Sequence, residues 1–131
     1  MAQEATDQNL RDSLRGHIDQ TEQQIRNLEQ VYGQLGQEPQ RLTSEGAQGL
    51  VSEAQQSIRE ARGEATRDCA INAAIVRVEH FEMGTYRGMV TGAQQMGRDE
   101  VVDLLQQNLN QEEETAQIAQ QRGPELVRRA L

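Results

Sequence analysis

The residues of this sequence that could carry out chemistry are one histidine and three glutamates: His17, Glu79, Glu82 and Glu112. In the segment 68–96, apolar side chains recur at helical spacing, and Glu82 occupies one position of that stripe. Glu79 lies on the edge of the same stripe. An ionised carboxylate between packed helices is costly unless it is paired, hydrogen-bonded or bound to a metal ion. Two carboxylates on one stripe therefore indicate a buried polar site.

The spacing of Glu82 and Glu112 around a predicted turn places them at the same level of a helical hairpin. Glu82 precedes Met96 by 14 residues. Glu112 follows Arg98 by the same 14 residues. At the helical rise of about 1.5 Å per residue, each glutamate lies about 21 Å from the turn. Glu79 lies one helical turn further along, so the three carboxylates are predicted to meet between the two helices.

His17 is the fourth candidate because it lies at or beside a core position of the first predicted helix. It lies about 15 Å from the start of its helix, and Glu82 lies about 21 Å from the start of the central helix. If the second helix returns the chain so that these two helices run parallel, His17 falls near the carboxylates. Imidazole and several carboxylates inside a bundle are typical ligands of di-iron and di-manganese sites.

A metal-free polar layer explains the same pattern. In that arrangement the buried carboxylates share protons or pair with an arginine, for which Arg77 on a neighbouring face is a candidate. Buried polar groups must be satisfied in either arrangement. The spacing alone therefore leaves a metal site and a metal-free layer open.

Capping and breaking residues predict four helices, over about 7–35, 44–61, 68–96 and 99–122. Gly123-Pro124 predicts the end of the last helix, with a short terminal turn after it. The predicted core positions of the first helix are Leu10, Leu14, His17/Ile18, Thr21, Ile25, Leu28, Val31/Tyr32 and Leu35. Those of the central helix are Ile71, Ile75, Val78, Glu82, Tyr86, Met89 and Ala93. The sequence therefore predicts an all-α, antiparallel bundle of three long helices and one shorter connecting helix.

Length and composition restrict the class of protein further. The 131 residues predict a single domain, 1–131, and 2% aromatic residues favour helices over a sandwich or barrel. A net charge of −8 argues against nucleic acid or an anionic membrane as a partner. No apolar run reaches membrane length. The single cysteine and the absence of a signal-peptide pattern predict a cytoplasmic location.

Four segments of the chain match the helix patterns of a known protein family. VRVEHFEMGTYRGM is similar to a helix that bears VEHYE. RGHIDQTEQQIRNLEQVYGQLG is similar to the pattern HLxET…RLExxFxLLG. TSEGAQGLVSEAQQSI resembles a short connecting helix, and GRDEVVDLLQQNLNQEEETAQ resembles a helix with LLxxTLxEE. Together these segments cover nearly the whole chain and resemble the YciE/YciF stress-protein family, a branch of the ferritin-like superfamily.

This resemblance implies a ferritin-like bundle, usually dimeric, with a dinuclear iron or manganese centre. Carried over to matching positions, the ligands are His17, Glu79, Glu82 and Glu112, the residues that the spacing selects independently. The implied function is that of a metal-binding stress-response protein with ferroxidase or peroxide-related activity. The alternative is a metal-free structural or interaction bundle that has lost the metal centre.

The sequence departs from the family pattern at three points. Gln20 and Gln111 stand where the family patterns have glutamates, and Gln is a neutral and weaker metal ligand. The chain is also expected to lack a first long helix that donates a carboxylate in the family. Its absence would leave an apolar groove, so we expect a homodimer or higher oligomer in which another copy covers the groove.

Overall fold

The computed structural model describes residues 1–131 and contains helices and connecting loops but no strand. The bounds of the four helices are α1 Gln8–Gln34, α2 Glu45–Glu60, α3 Glu64–Gln95 and α4 Asp99–Ala130. Three helices are long and α2 is short. The predicted all-α, ferritin-like helical bundle is confirmed.

Short polar side chains and glycines set the helix ends. Asp7 caps α1 by accepting a hydrogen bond from the Leu10 N–H at 2.8 Å. Ser44 caps α2 in the same way. Gly97, with φ 64°, follows α3 in the left-handed conformation that glycine adopts without a steric penalty. The tight connection at Gly97 makes α3 and α4 an antiparallel hairpin.

The α3–α4 hairpin is the centre of the molecule. α1 packs against α4, and α2 packs against α3. One apolar core cluster includes Val31, Tyr86 and Leu105, and a second includes Leu10 and Ile71. No helix combines the length and apolar character that crossing a membrane requires.

The predicted end of α4 at Gly123-Pro124 is wrong. α4 continues through Pro124 to Ala130. Proline removes one backbone donor and usually bends or ends a helix. Here the last turns are held by packing, because Leu126 is 3% exposed within the second core cluster, and by ion pairs that Arg129 makes with Asp7 and Glu125.

Two of the predicted core faces are correct only in part. In α1, Leu10 and Val31 are buried as predicted. Ile18 and Ile25, however, are 55% and 52% exposed, whereas Gln24 and Asn27 are buried. The amides of Gln24 and Asn27 are buried because they find partners on α4, and this turns the isoleucines outward.

In α3 the predicted core residues Ile71, Ile75, Tyr86 and Ala93 are buried. Glu79, Met83 and Val90 are buried as well, while Met89 is exposed. Glu79 is therefore at the centre of the packed face and Glu82 is at its edge, the reverse of the prediction. α3 also begins at Glu64, ahead of the predicted caps Thr66 and Asp68. Asp68 instead accepts hydrogen bonds from the N-terminal segment, at Thr6 and Asp7.

Candidate metal centre

Three of the predicted ligands form a compact group inside the bundle. α1 contributes His17, and α3 contributes Glu79 and Glu82 from successive turns of one helical face. One ligand atom from each side chain lies within 4.8 Å of the others. His17 Nε2 lies 3.5 Å from Glu79 Oε1. The predicted approach of the first helix to the carboxylates of the central helix is therefore present.

Glu112 completes what we call the His–Glu cluster: His17, Glu79, Glu82 and Glu112. It projects from α4, is 1% exposed, and lies close enough to Glu79 and Glu82 to raise the pKa of both. The position of Glu112 beside Glu82 agrees with the prediction that both residues lie at the same distance from the turn at Gly97. All four predicted residues are thus neighbours.

Burial and mutual repulsion disfavour the charged forms of the two α3 carboxylates. The pKa of Glu79 is raised to about 10, first by burial and then by the neighbouring Glu112 and Glu82. The pKa of Glu82 is raised to about 7, again first by burial and then by Glu112. Without a cation, the cluster therefore retains protons at neutral pH.

Several polar atoms of the cluster have no hydrogen-bond partner. Both carboxylate oxygens of Glu112, Oε2 of Glu79 and Nδ1 of His17 are buried and unpaired. An unsatisfied buried polar atom costs about 1–3 kcal/mol. A divalent cation would accept the free lone pairs and offset the like charges. One imidazole and three carboxylates are a donor set that suits iron or manganese, so the residues present fit such a metal.

The two glutamines at the family's glutamate positions make other contacts. Gln20 Oε1 accepts a hydrogen bond from Thr115 Oγ1 at 3.3 Å. Gln111 Oε1 accepts one from Gln24 Nε2 at 3.2 Å. Both amides therefore help to join α1 and α4, and neither adds a negative charge to the cluster.

The sequence reasoning missed a buried amide network next to the cluster. Asn108 is 0% exposed, and its Oδ1 accepts a hydrogen bond from Asn27 at 2.8 Å. The Asn108 amide also donates to the Tyr86 hydroxyl and to the Gln24 carbonyl oxygen. The Tyr86 hydroxyl in turn donates to Gln24 Oε1 at 3.3 Å. The helical spacing of Gln24, Asn27 and Val31 is the signal that could have revealed this network.

His80 lies outside the cluster. It is exposed, and its Nδ1 is 2.8 Å from the Val76 carbonyl oxygen. His80 is two residues from Glu82 in the sequence, so the two side chains leave different faces of α3.

The fold and the cluster define a class of helical bundle whose α3–α4 hairpin and first helix enclose carboxylates and an imidazole. The chain belongs to the family described as domain of unknown function DUF892, whose sequence profile matches residues 1–131. The predicted membership of the YciF-type stress-protein family is confirmed.

Individual relatives agree with this assignment. The chain is 28% identical over 116 residues to Protein YciF of Escherichia coli (strain K12), covering 88% of this chain and 70% of that protein. The crystal structure of the E. coli stress protein YciF matches 97% of this chain and 80% of its own, at 26% identity and a TM-score of 0.91. YcfI, described as "a putative structural protein" from Rhodopseudomonas palustris, matches 91% of this chain and 76% of its own, at 32% identity and a TM-score of 0.89.

Proposed function

We propose that this protein binds iron or manganese at the His–Glu cluster. The observation that carries the proposal is the set of unpaired atoms on His17, Glu79 and Glu112 inside a packed bundle. Three carboxylates without an arginine partner are costly to hold together. A cation bound between the carboxylates would neutralise their repulsion, so the unfavourable energy of the empty cluster would contribute to metal affinity.

Each residue has a distinct part in the proposed site. Glu112 and Glu82 approach one another from α4 and α3, so both would be ligands of the ion. Glu79 and His17 would be terminal ligands on the side of α1. A bound iron or manganese ion would supply redox chemistry, as in Fe(II) oxidation or peroxide consumption. The protein's own part is to exclude water and to release the protons of Glu79 and Glu82 when the metal binds.

The number of metal ions in the proposal follows from the number of ligands. Gln20 and Gln111 are neutral, and their oxygens already accept hydrogen bonds from Thr115 and Gln24. One imidazole and three carboxylates supply enough ligands for one ion but few for two. We therefore propose a single metal ion per chain, unless a second chain contributes further ligands.

A metal-free structural or interaction protein is the second candidate. The engaged glutamines favour it, and YcfI carries a structural description. In this alternative Glu79 keeps its proton and shares it with the neighbouring Glu112. The bundle would then serve assembly alone.

Self-association and location belong to the same proposal. Ile18 and Ile25 lie seven residues apart on one face of α1 and are about half exposed. A second copy that covers this face would remove apolar surface from water.

The single Cys69 has no partner for an intrachain disulfide, which supports a reducing cytoplasm.

The test compares metal retention in two glutamine variants of α4. Glu112→Gln removes a buried cluster carboxylate, whereas Glu114→Gln removes an exposed one from the same helix. After anaerobic loading with Fe(II) or Mn(II) and dialysis, Glu112→Gln is expected to lose about 10–100-fold in metal affinity, and Glu114→Gln to match the parent protein.

Stability separates the two candidate functions. If the cluster binds no metal in the functional protein, the parent protein should retain no more metal than the Glu112→Gln variant. In that case Glu112→Gln also raises the melting temperature, because a neutral amide replaces a costly buried acid. That combination would overturn the metal proposal.

A further inference from the structure

A cavity of about 550 Å³ lies beside the first turn of α1 and shares no residue with the His–Glu cluster. Arg11 of α1, Arg59 of α2 and Arg67 of α3 contribute its positive charges. Ala5 and Ile58 contribute buried apolar surface. We call this cavity the arginine pocket. Its volume is within the range of small-molecule binding sites.

The three guanidinium groups have no carboxylate partner. The ion pairs of the protein involve other arginines, and no carboxylate lies within 4.0 Å of Arg11, Arg59 or Arg67. Glu4, the acidic residue of the pocket wall, pairs instead with the Met1 amino group at 3.0 Å. The positive charge of the pocket is therefore not neutralised within the chain.

Arg11 gives a second, independent observation. Its Nη2 donates a hydrogen bond to the Thr6 carbonyl oxygen at 3.1 Å, which fixes the guanidinium at the pocket wall. Its Nε is buried and has no acceptor. A buried donor without an acceptor costs about 1–3 kcal/mol, and negative charge beside the Arg11 guanidinium would offset part of this cost.

Two of the arginines lie near helix N-termini. Arg11 and Arg67 each lie four residues after the N-cap of their helix. The partial positive charge of these helix ends is already offset in part by Asp7, which caps α1, and by Glu64 in the first turn of α3. The preference for an anion therefore comes from the arginine side chains. In a chain of net charge −8, three helices thus bring positive charge together at one cavity.

We propose that the arginine pocket binds a phosphate group, either as inorganic phosphate or on a small organic ester. Guanidinium groups match the oxygens of phosphate in paired hydrogen bonds. A dianion neutralises three arginines better than a single carboxylate does. The cavity is larger than a phosphate ion, which leaves room for an organic substituent.

Calorimetric titration of the full chain with inorganic phosphate and with glycerol phosphate, at constant ionic strength, tests the proposal. We expect saturable binding to one site. Arg59→Gln and Arg67→Gln should each weaken it by at least about tenfold. Arg41→Gln, which makes the same change of charge in an exposed loop, should leave the affinity within about twofold.

Circular dichroism of each variant checks that the helices are retained. Tighter binding of glycerol phosphate would identify an organic ester as the ligand, and equal binding would identify inorganic phosphate. No saturable binding of either probe, or an equal loss in Arg41→Gln, would overturn the proposal. Metal removal should not change the result, because the two sites share no residue.

Discussion

At the scale of single residues, Glu79 couples proton binding most strongly to folding. Its carboxyl group is 1% exposed, and its pKa rises from 4.5 to about 10 in the folded chain. Between these values the folded protein holds a proton that the unfolded chain releases. The stabilisation is therefore complete below about pH 4.5 and is lost as the pH rises toward 10. Glu82, with a pKa near 7, adds to this trend between pH 4.5 and 7.

The first prediction concerns the metal-free protein. Its free energy of unfolding should fall between pH 5.5 and 8, by at most about 1.4 kcal/mol per pH unit for each group that holds a proton. Glu79→Gln should flatten this dependence, because glutamine does not titrate. Urea unfolding across the pH range measures it, and Glu29→Gln, on the exposed face of α1, is the control. A stability that rises with pH in the parent protein would contradict the raised pKa.

At the scale of helices, amide and hydroxyl groups join α1 to α4 beside the apolar contacts of the two core clusters. Gln24 pairs with Gln111, Asn27 with Asn108, and Gln20 with Thr115 across this interface. Such a network fixes the register of α1 against α4. Removing one member is destabilising, because the remaining polar groups are left buried without partners.

The second prediction follows from this network. Asn108→Ala should lower the free energy of unfolding by about 2–4 kcal/mol, because it leaves polar groups on α1 and Tyr86 without partners. Hydrogen exchange should speed up in α1 more than in the α3–α4 hairpin. Asn110→Ala, an exposed site on the same helix, is the control. Equal acceleration in all helices would mean that the network does not hold α1 in particular.

The third prediction concerns the proline inside α4. Pro124→Ala restores one backbone donor and removes the clash of the proline ring with the preceding turn. The loss of a rigid residue also favours the unfolded chain, by about 0.4–1 kcal/mol. The net effect should be a gain of about 1–2 kcal/mol, measured by thermal unfolding. A lower melting temperature would indicate that the proline is needed for the packing of Leu126.

Helix number and order were predictable from the sequence because the caps and breakers are local. Asp7, Ser44 and Gly97 act on their own backbone neighbours. The continuation of α4 past Pro124 was not predictable, because it depends on the distant residues that bury Leu126 and pair with Arg129. The rotation of α1 likewise depends on amide partners on α4.

The residues of the candidate site could also be chosen from the sequence, because the turn at Gly97 and the fixed helical rise place Glu82 and Glu112 at the same height in the hairpin. How deeply each residue is buried could not be predicted. Glu79 is the central residue and Glu82 lies at the edge of the packed face, since the tilt of α3 against α4 decides which residue faces inward. The buried Asn108 network was missed because a polar residue at a core position does not by itself identify its partners.

At the scale of the whole molecule, a face of α1 remains without a partner in the single chain. Ile18 and Ile25 are about half exposed, and Tyr32, a further seven residues along, is partly exposed. A heptad spacing of apolar side chains is typical of a helix that packs against another helix.

The fourth prediction is that this face joins two copies. Light scattering on a sizing column should give twice the chain mass of 14.7 kDa. The double change Ile18→Gln and Ile25→Gln should give the single-chain mass with unchanged helical content. Val51→Gln with Val127→Gln, at exposed apolar sites on α2 and α4, should leave the dimer intact. A parent protein that is already monomeric would refute the dimer.

The central claim is that the buried carboxylates hold a metal ion, and elemental analysis of the sized protein tests it most directly. After exposure to Fe(II) or Mn(II) and removal of free metal, the proposal predicts about one ion per chain, within the stoichiometry of ferritin-like sites. The Glu112→Gln protein should retain almost none. A parent protein that is well folded but retains neither metal would contradict the claim. The bundle would then have a structural role, with protons in place of the cation.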